Sequence, residues 1–235
     1  MSGAREIRVV EDVAASAAEL IAARVRAGGR IALSGGSTPR AAHLRVAALE
    51  LDWSRTELWF GDERAVAPDH EHSNYAMAKA SLLDRIAGAQ PEVHRIRGEL
   101  GHERAAASYA EELADAFGGA PPAMDLLLLG LGPDAHCASL FPGDAALGER
   151  ERLAVGVATP GMAPLVSRVT VTLPVVNAAR EVVFLISGAD KAEAVARAFG
   201  GAPDPDAPAS LVRPRPGSLT VLLDAPAAAE LGERR

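Results

Sequence analysis

A chain of 235 residues, 49% hydrophobic and only 4% aromatic, is long enough to bury a substantial core as one large domain or two small ones. Its formal net charge of −7 argues against broad nucleic-acid binding, which needs a basic surface, yet leaves room for a local cationic pocket. A lone cysteine, Cys137, excludes an intrachain disulfide. No apolar signal core opens the sequence and no apolar run approaches the ~20 residues that span a bilayer, so a soluble, cytoplasmic protein is expected.

Taken in order, Ile7 to Val10 reads as a first strand, and Val13 to Val25 as an alanine-rich helix ending at Gly28-Gly29. Ile31 to Leu33 is a short buried strand that breaks into Ser34-Gly-Gly-Ser-Thr-Pro-Arg40. There Thr38 is placed to cap a helix whose first residue is Pro39 and which runs to about Leu49. Glu57 to Phe60 is the next strand and ends in Gly61-Asp-Glu-Arg64. A polar loop, Pro68 to Ser73, leads into a helix from Asn74 to about Ile86. Val93 to Ile96 predicts a short strand and Glu103 to Phe117 a helix; the Gly118 to Pro122 linker is too short to mark a boundary by itself.

Leu126 to Leu129, four leucines in a row, read as a strand buried on both faces. Gly130 and Gly132 allow a sharp exit, and Asp134 is expected to N-cap a short helix that carries His136 and Cys137 and closes at Pro142-Gly143. Leu153 to Ala158, Val169 to Leu173, Val182 to Ile186 and Leu219 to Leu223 are further strands. Helices are expected at Pro174 to Ala179 and Ala189 to Phe199, with a surface loop from Gly200 to Pro208. Strands alternating with helices imply an α/β fold, an open and mostly parallel sheet with helices on both faces.

The chemistry gathers at strand ends, where ligands bind in open α/β sheets. Gly35, Gly36, Ser37 and Thr38 lie between a strand and a helix N-terminus, where small residues, converging amides and the helix dipole favour an anion. A tight turn with a capping threonine is the bland alternative. The lysine-bearing P-loop pattern is absent, so a phosphate monoester suits the loop better than a nucleoside triphosphate. Asp62 and Arg64 end the next strand, and Arg64 is suited to clamp a phosphate or carboxylate by two parallel hydrogen bonds. Arg168 precedes a strand, and Lys191 sits at a helix start, where a cation opposes the dipole unless an anion lies between them.

His136 follows a glycine-rich break at the end of a core strand, which favours a functional over a structural histidine. Cys137 beside it reads as a core residue, since adjacent helical residues do not face each other. His70-Glu-His72 reads as a charged loop, because no third metal ligand is fixed by spacing. Gly130-Leu-Gly-Pro-Asp-Ala135 matches a dinucleotide fingerprint, but Pro133 removes a donor that a pyrophosphate would use, and Glu149 and Glu151 precede the next strand instead of ending it.

As a set, Leu33-Ser-Gly-Gly-Ser-Thr-Pro39, Trp59-Phe-Gly-Asp-Glu-Arg64, Ser73-Asn-Tyr75, Gly130 to Pro142, Arg168-Val-Thr-Val-Thr-Leu-Pro174 and Gly188 to Lys191 resemble the 6-phosphogluconolactonase family. One departure is Ala135, where the family usually has glycine; if the position needs positive φ, alanine costs about 1 kcal/mol or more. The related glucosamine-6-phosphate deaminases carry an Ile-Ala-Phe-Asn-Glu-Pro type of sequence after the histidine, unlike Cys137-Ala-Ser-Leu-Phe-Pro142.

The resemblance implies a Rossmann-like α/β fold shared with those deaminases, as a single domain over 1–235. It implies hydrolysis of 6-phospho-D-glucono-1,5-lactone in the oxidative pentose phosphate pathway, with no metal and no organic cofactor. The partner is the small sugar-phosphate lactone, not nucleic acid or membrane, and the protein is a monomer or small homo-oligomer. In this reading His136 is the general base toward water and then the acid toward the ring oxygen. Asp134 orients His136 or caps the helix, and Arg64 or amides near Gly132 stabilise the oxyanion. Gly35 to Thr38, with Asp62, Arg64, Arg168 and Lys191, hold the phosphorylated substrate. A sugar-phosphate deaminase or isomerase, or a non-catalytic binder of sugar phosphates, are the alternatives.

Overall fold

Apolar strands flanked by alanine-rich helices fix the layering in the computed structural model, which describes residues 5–232. The elements, in chain order, are β1 (Arg5–Val9), α1 (Val13–Ala27), β2 (Gly29–Leu33), α2 (Ser37–Ala47), β3 (Thr56–Phe60), β4 (Asp62–Arg64), α3 (Asn74–Ser81), β5 (Glu92–Val93) and α4 (His102–Ala116). There follow β6 (Leu126–Leu129), β7 (Ala154–Val157), β8 (Arg168–Val171), α5 (Leu173–Ala178), β9 (Glu181–Ile186), α6 (Ala192–Phe199) and β10 (Ser218–Leu223).

Seven strands form a parallel sheet in the order β1-β10-β9-β6-β2-β3-β5. All four leucines of β6 are buried, as expected of a strand covered on both faces. Outward from β2 the chain adds β3 and β5, whereas outward from β6 it adds β9 and β10, with β1 at that far edge. The order therefore reverses between β2 and β6, and a crevice opens beyond their carboxyl ends. No described helix is long and apolar enough to cross a membrane.

The expectation of a mostly parallel sheet holds, and a smaller sheet stands beside the main one. β7, β8 and β4 form a separate antiparallel sheet, because Gly61 turns the chain out of the main sheet immediately after β3. Gly61 joins the two sheets through its backbone: its N–H donates to Leu33, and its carbonyl accepts from Val171.

Two expected elements are shorter than the sequence suggested. The helix after Ser73 ends at Ser81 because Ser81 Oγ bonds back to the Met77 carbonyl and Leu82 adopts φ −128, outside the helical range. The strand expected over Val93 to Ile96 pairs only at Glu92–Val93, on the sheet edge beside β3.

Candidate active site

The loop after β2 forms one wall of the crevice. α2 begins at Ser37, with Gly36 as its N-cap at φ 114, so Thr38 lies inside the first turn and is not the cap. No side chain caps this helix, and its first-turn amides, which have no intrahelical acceptor, are free to serve an anion at the mouth. Gly35 is required by a close approach: a Cβ there would collide with the Asn74 side chain.

The second wall is the small antiparallel sheet. Its register sets Arg64 opposite Arg168. Arg64 donates to the His72 carbonyl at 2.7 Å, and Arg168 to the carbonyls of Met162 and Pro164 at 3.3 and 3.2 Å. The Nε of each is buried and has no hydrogen-bond partner among the described residues. Burial pulls the Arg168 pKa down and the neighbouring charge of Arg64 adds to that, against the opposing pull of Asp62. Such a pair is poised for an anion.

Asp62 ties this wall to the others. Its carboxylate accepts from Ser139 Oγ at 2.7 Å and from Asn74 Nδ2 at 3.1 Å. Next to it, Glu63 is 2% exposed and accepts from the Ser73 hydroxyl and the amides of Arg64, Asn74 and Tyr75, so it anchors the start of α3. Burial raises the Glu63 pKa, and these hydrogen bonds only partly offset it. Glu63, Asn74 and Ser139 were not singled out by sequence reasoning. Their partners are distant in the chain, and the Ser-Asn pair starting a helix was the one local signal.

The third wall is the loop after β6, and here the expected helix over Asp134 to Pro142 does not form. Ala135 and Ala138 both take positive φ, 66 and 48, which a right-handed helix does not accommodate. Asp134 does not cap a helix but folds back on the residue two ahead. Its Oδ1 accepts from the His136 amide at 3.2 Å and lies 2.5 Å from His136 Nδ1. The amide of Gly132 donates to the His136 carbonyl and that of Ala135 to the Gly132 carbonyl, so these donors are engaged within the loop. A Cβ at Gly132 would overlap the His136 ring. That ring also packs on Phe141 at 4.5 Å.

Burial by itself would raise the Asp134 pKa, but the hydrogen bond and charge of His136 outweigh it and hold the carboxyl below its ordinary value. An ionised Asp134 beside Nδ1 favours a proton on that nitrogen and so orients the ring.

Gly35, Gly36, Ser37, Thr38, Asp62, Arg64, His136, Arg168 and Lys191 all line one cleft of about 280 Å³. Asp134 stands behind His136. Lys191 enters from the N-terminal end of α6, with Asp190 as its one ion-pair partner among the described residues, at 3.7 Å. His70 and His72 lie outside the cleft, and their loop serves Arg64 through a backbone carbonyl. Among the described residues no group of three or more His, Cys, Asp or Glu is arranged to hold a metal. Cys137 is buried as expected, and burial pushes its thiol up to about 12, so it is no nucleophile.

The family described as glucosamine-6-phosphate isomerases/6-phosphogluconolactonase matches residues 4–221. A 6-phosphogluconolactonase of Nostoc sp. is 43% identical over 207 residues, which cover 86% of this chain and 84% of that protein. The human 6-phosphogluconolactonase is 39% identical over 231 residues, covering 93% and 89%. Among solved structures, the 6-phosphogluconolactonase from Trypanosoma brucei aligns with a TM-score of 0.85 at 29% identity, covering 98% of this chain and 100% of that one. A monomeric glucosamine-6-phosphate deaminase has the same fold, with a TM-score of 0.81 at 21% identity over 97% and 99% of the two chains. The chain belongs to the glucosamine-6-phosphate isomerase/6-phosphogluconolactonase family.

Proposed function

We propose that this protein hydrolyses 6-phospho-D-glucono-1,5-lactone to 6-phospho-D-gluconate, with His136 as general base and then general acid. The observation that carries the reading is the contact of Asp134 with His136 Nδ1 at 2.5 Å, beside a cleft with two partly unpartnered arginines. The identity to the lactonases supports the substrate.

In this reading the phosphate sits at the N-terminus of α2, held by the amides and hydroxyls of Gly35 to Thr38 and by Arg168 and Lys191. Asp62 keeps the walls in register. The lactone carbonyl carbon is thereby brought over a water beside His136. Nε2 takes a proton from that water as it attacks, and the carbonyl oxygen becomes an oxyanion. Because the Gly132, Ala135 and His136 amides are engaged within the loop, Arg64 is the better of the oxyanion donors considered. When the intermediate collapses, the ring C–O bond breaks and His136 returns its proton to the departing oxygen. A lactone is already an activated ester, and these groups supply each proton and charge the reaction needs without a metal. Residues from 35 to 191 contribute, so we take the chain as a single catalytic unit.

The test is proton release from freshly made 6-phosphogluconolactone, measured over its spontaneous opening. We expect acceleration by the wild type and loss of most of it in His136→Ala, with 6-phosphogluconate still bound. Near-full turnover in that variant would remove His136 from the mechanism. Ammonia release from glucosamine-6-phosphate without lactone turnover would instead make the protein a deaminase.

A further inference from the structure

At the opposite rim of the sheet, by the amino ends of β1 and β10, lies a second cavity of about 300 Å³, comparable in size to the active-site cleft. Its apolar floor is Phe199, Val212 and Leu219, and three arginines surround it: Arg5, Arg213 and Arg215. Acidic residues outnumber basic ones in the chain, 31 to 24, and seven described arginines, Arg30, Arg45, Arg95 and Arg180 among them, have carboxylate partners, yet the cavity lining holds no acid. None of these three makes a salt bridge among the described residues. With three arginines and no acid in its lining, the cavity is locally cationic and favours an anion.

The cavity is built, not a chance cluster of surface charge. Asn177 of α5 clamps the segment bearing both Arg213 and Arg215. Its Oδ1 accepts from the Arg213 amide at 2.6 Å, its carbonyl accepts from the Arg215 amide at 3.0 Å, and its Nδ2 donates to the Leu211 carbonyl at 3.3 Å. Pro214 and Pro216 fix the backbone on either side of Arg215. Ser210 Oγ bonds the Asp204 backbone, so the adjoining turn is pinned as well. A wall of this cavity also reaches the catalytic loop: the Ala209 amide donates to the carbonyl of Ala135 at 3.0 Å, one residue before His136.

We propose that this cavity is a second anion site, which binds a small phosphorylated molecule. Guanidinium forks match phosphate oxygens in pairs, while the apolar floor takes the uncharged part of the ligand. The volume admits a molecule about the size of a sugar phosphate and is too small for a folded partner's surface.

The experiment is calorimetric titration with inorganic pyrophosphate of the wild type, of Arg213→Ala/Arg215→Ala, and of Arg5→Ala. Any binding in the active-site cleft is common to all three proteins and cancels in the comparison. The substituted side chains are exposed, so melting temperature and basal turnover are expected to stay unchanged. The wild type should show a binding event weakened roughly tenfold or more in the double variant, and by a smaller factor in Arg5→Ala. Superimposable isotherms for wild type and both variants would overturn the proposal. So would a single-stranded oligonucleotide that bound more tightly than pyrophosphate and was lost in the same variants, since that would make the face a nucleic-acid surface.

Discussion

Arg64 and Arg168 are direct partners across the antiparallel pair β4–β8, so two like charges leave the backbone from facing positions. Like charges directly opposite one another destabilise a sheet unless something negative compensates them. Asp62, 6% exposed, supplies part of that charge, and in our reading the substrate supplies the rest.

Removing Arg168 should therefore weaken binding of the phosphorylated lactone more than it slows the chemistry. For Arg168→Ala we expect KM to rise roughly 10- to 100-fold, the loss of one or two charge-assisted hydrogen bonds. Discrimination against unphosphorylated gluconolactone should fall in parallel. Steady-state kinetics on both lactones checks this, and unchanged discrimination would place the phosphate elsewhere.

The Asp134–His136 contact predicts a different signature. Asp134→Asn removes the negative charge that holds the Nδ1–H tautomer, so kcat should drop by on the order of 100-fold while KM moves little. Asp134 also carries a sign in pH. Its folded pKa is depressed, so its stabilising contribution is present above the unfolded value near ~3.9 and is lost as pH falls through the folded one. A variant with wild-type kcat would reduce Asp134 to a feature of the loop alone.

Ala135 sits at φ 66, fully buried, at the position where the resemblance led us to expect glycine. The strain of a Cβ in the left-handed region exceeds what alanine gains by restricting the unfolded chain. Ala135→Gly should thus stabilise the protein by about 0.5–1 kcal/mol and raise the melting temperature by roughly 1–4 °C. Calorimetry decides. A lower melting temperature would mean that the buried methyl matters more than the strain.

His43 on α2 is wholly buried, with Nδ1 3.2 Å from Ser81 Oγ on α3 and Nε2 without a hydrogen-bond partner among the described residues. Ser81 donates its own proton to the Met77 carbonyl, so His43 Nδ1 is the donor and the ring is neutral. Burial lowers its pKa to about 4. The unfolded chain gains a proton near pH ~6.5 while the folded chain refuses it until about 4. Stability from this group is therefore full above the unfolded pKa, falls across that window by about 3 kcal/mol, and is flat below it. In His43→Gln, urea unfolding free energies at pH 7 and pH 4 should differ less than in the wild type. Equal pH dependence would contradict the assignment.

Much of this was legible from residue order. Alternating apolar strands and alanine-rich helices dictate a parallel sheet, and the glycines at 35 and 36 announce a backbone that approaches something closely. These are local consequences of side-chain volume and backbone freedom, so they survive without knowledge of the rest of the chain. His136, Arg64, Arg168 and Lys191 were legible as chemical types at strand or helix ends. Their convergence on one cleft was expected only from the family resemblance and not from residue order, because it depends on strand order.

What only the tertiary structure decided is how distant segments share one space. β4 and β8 lie about a hundred residues apart, and no local pattern pairs Arg64 with Arg168 in antiparallel register. Asp134 reads as a helix cap, since capping and folding back on a neighbouring amide use the same short carboxylate; the positive φ of Ala135 and Ala138 settles the matter by forbidding the helix. No role was read for Glu63 in the sequence, and its burial against the start of α3 emerges only once Gly61 turns the chain between the two sheets. The sequence by itself determined most of the strands and helices of the main sheet and which chemical groups end them. Packing decided which of those groups meet, because hydrogen bonds and charges act over a few ångströms of space whatever their separation along the chain.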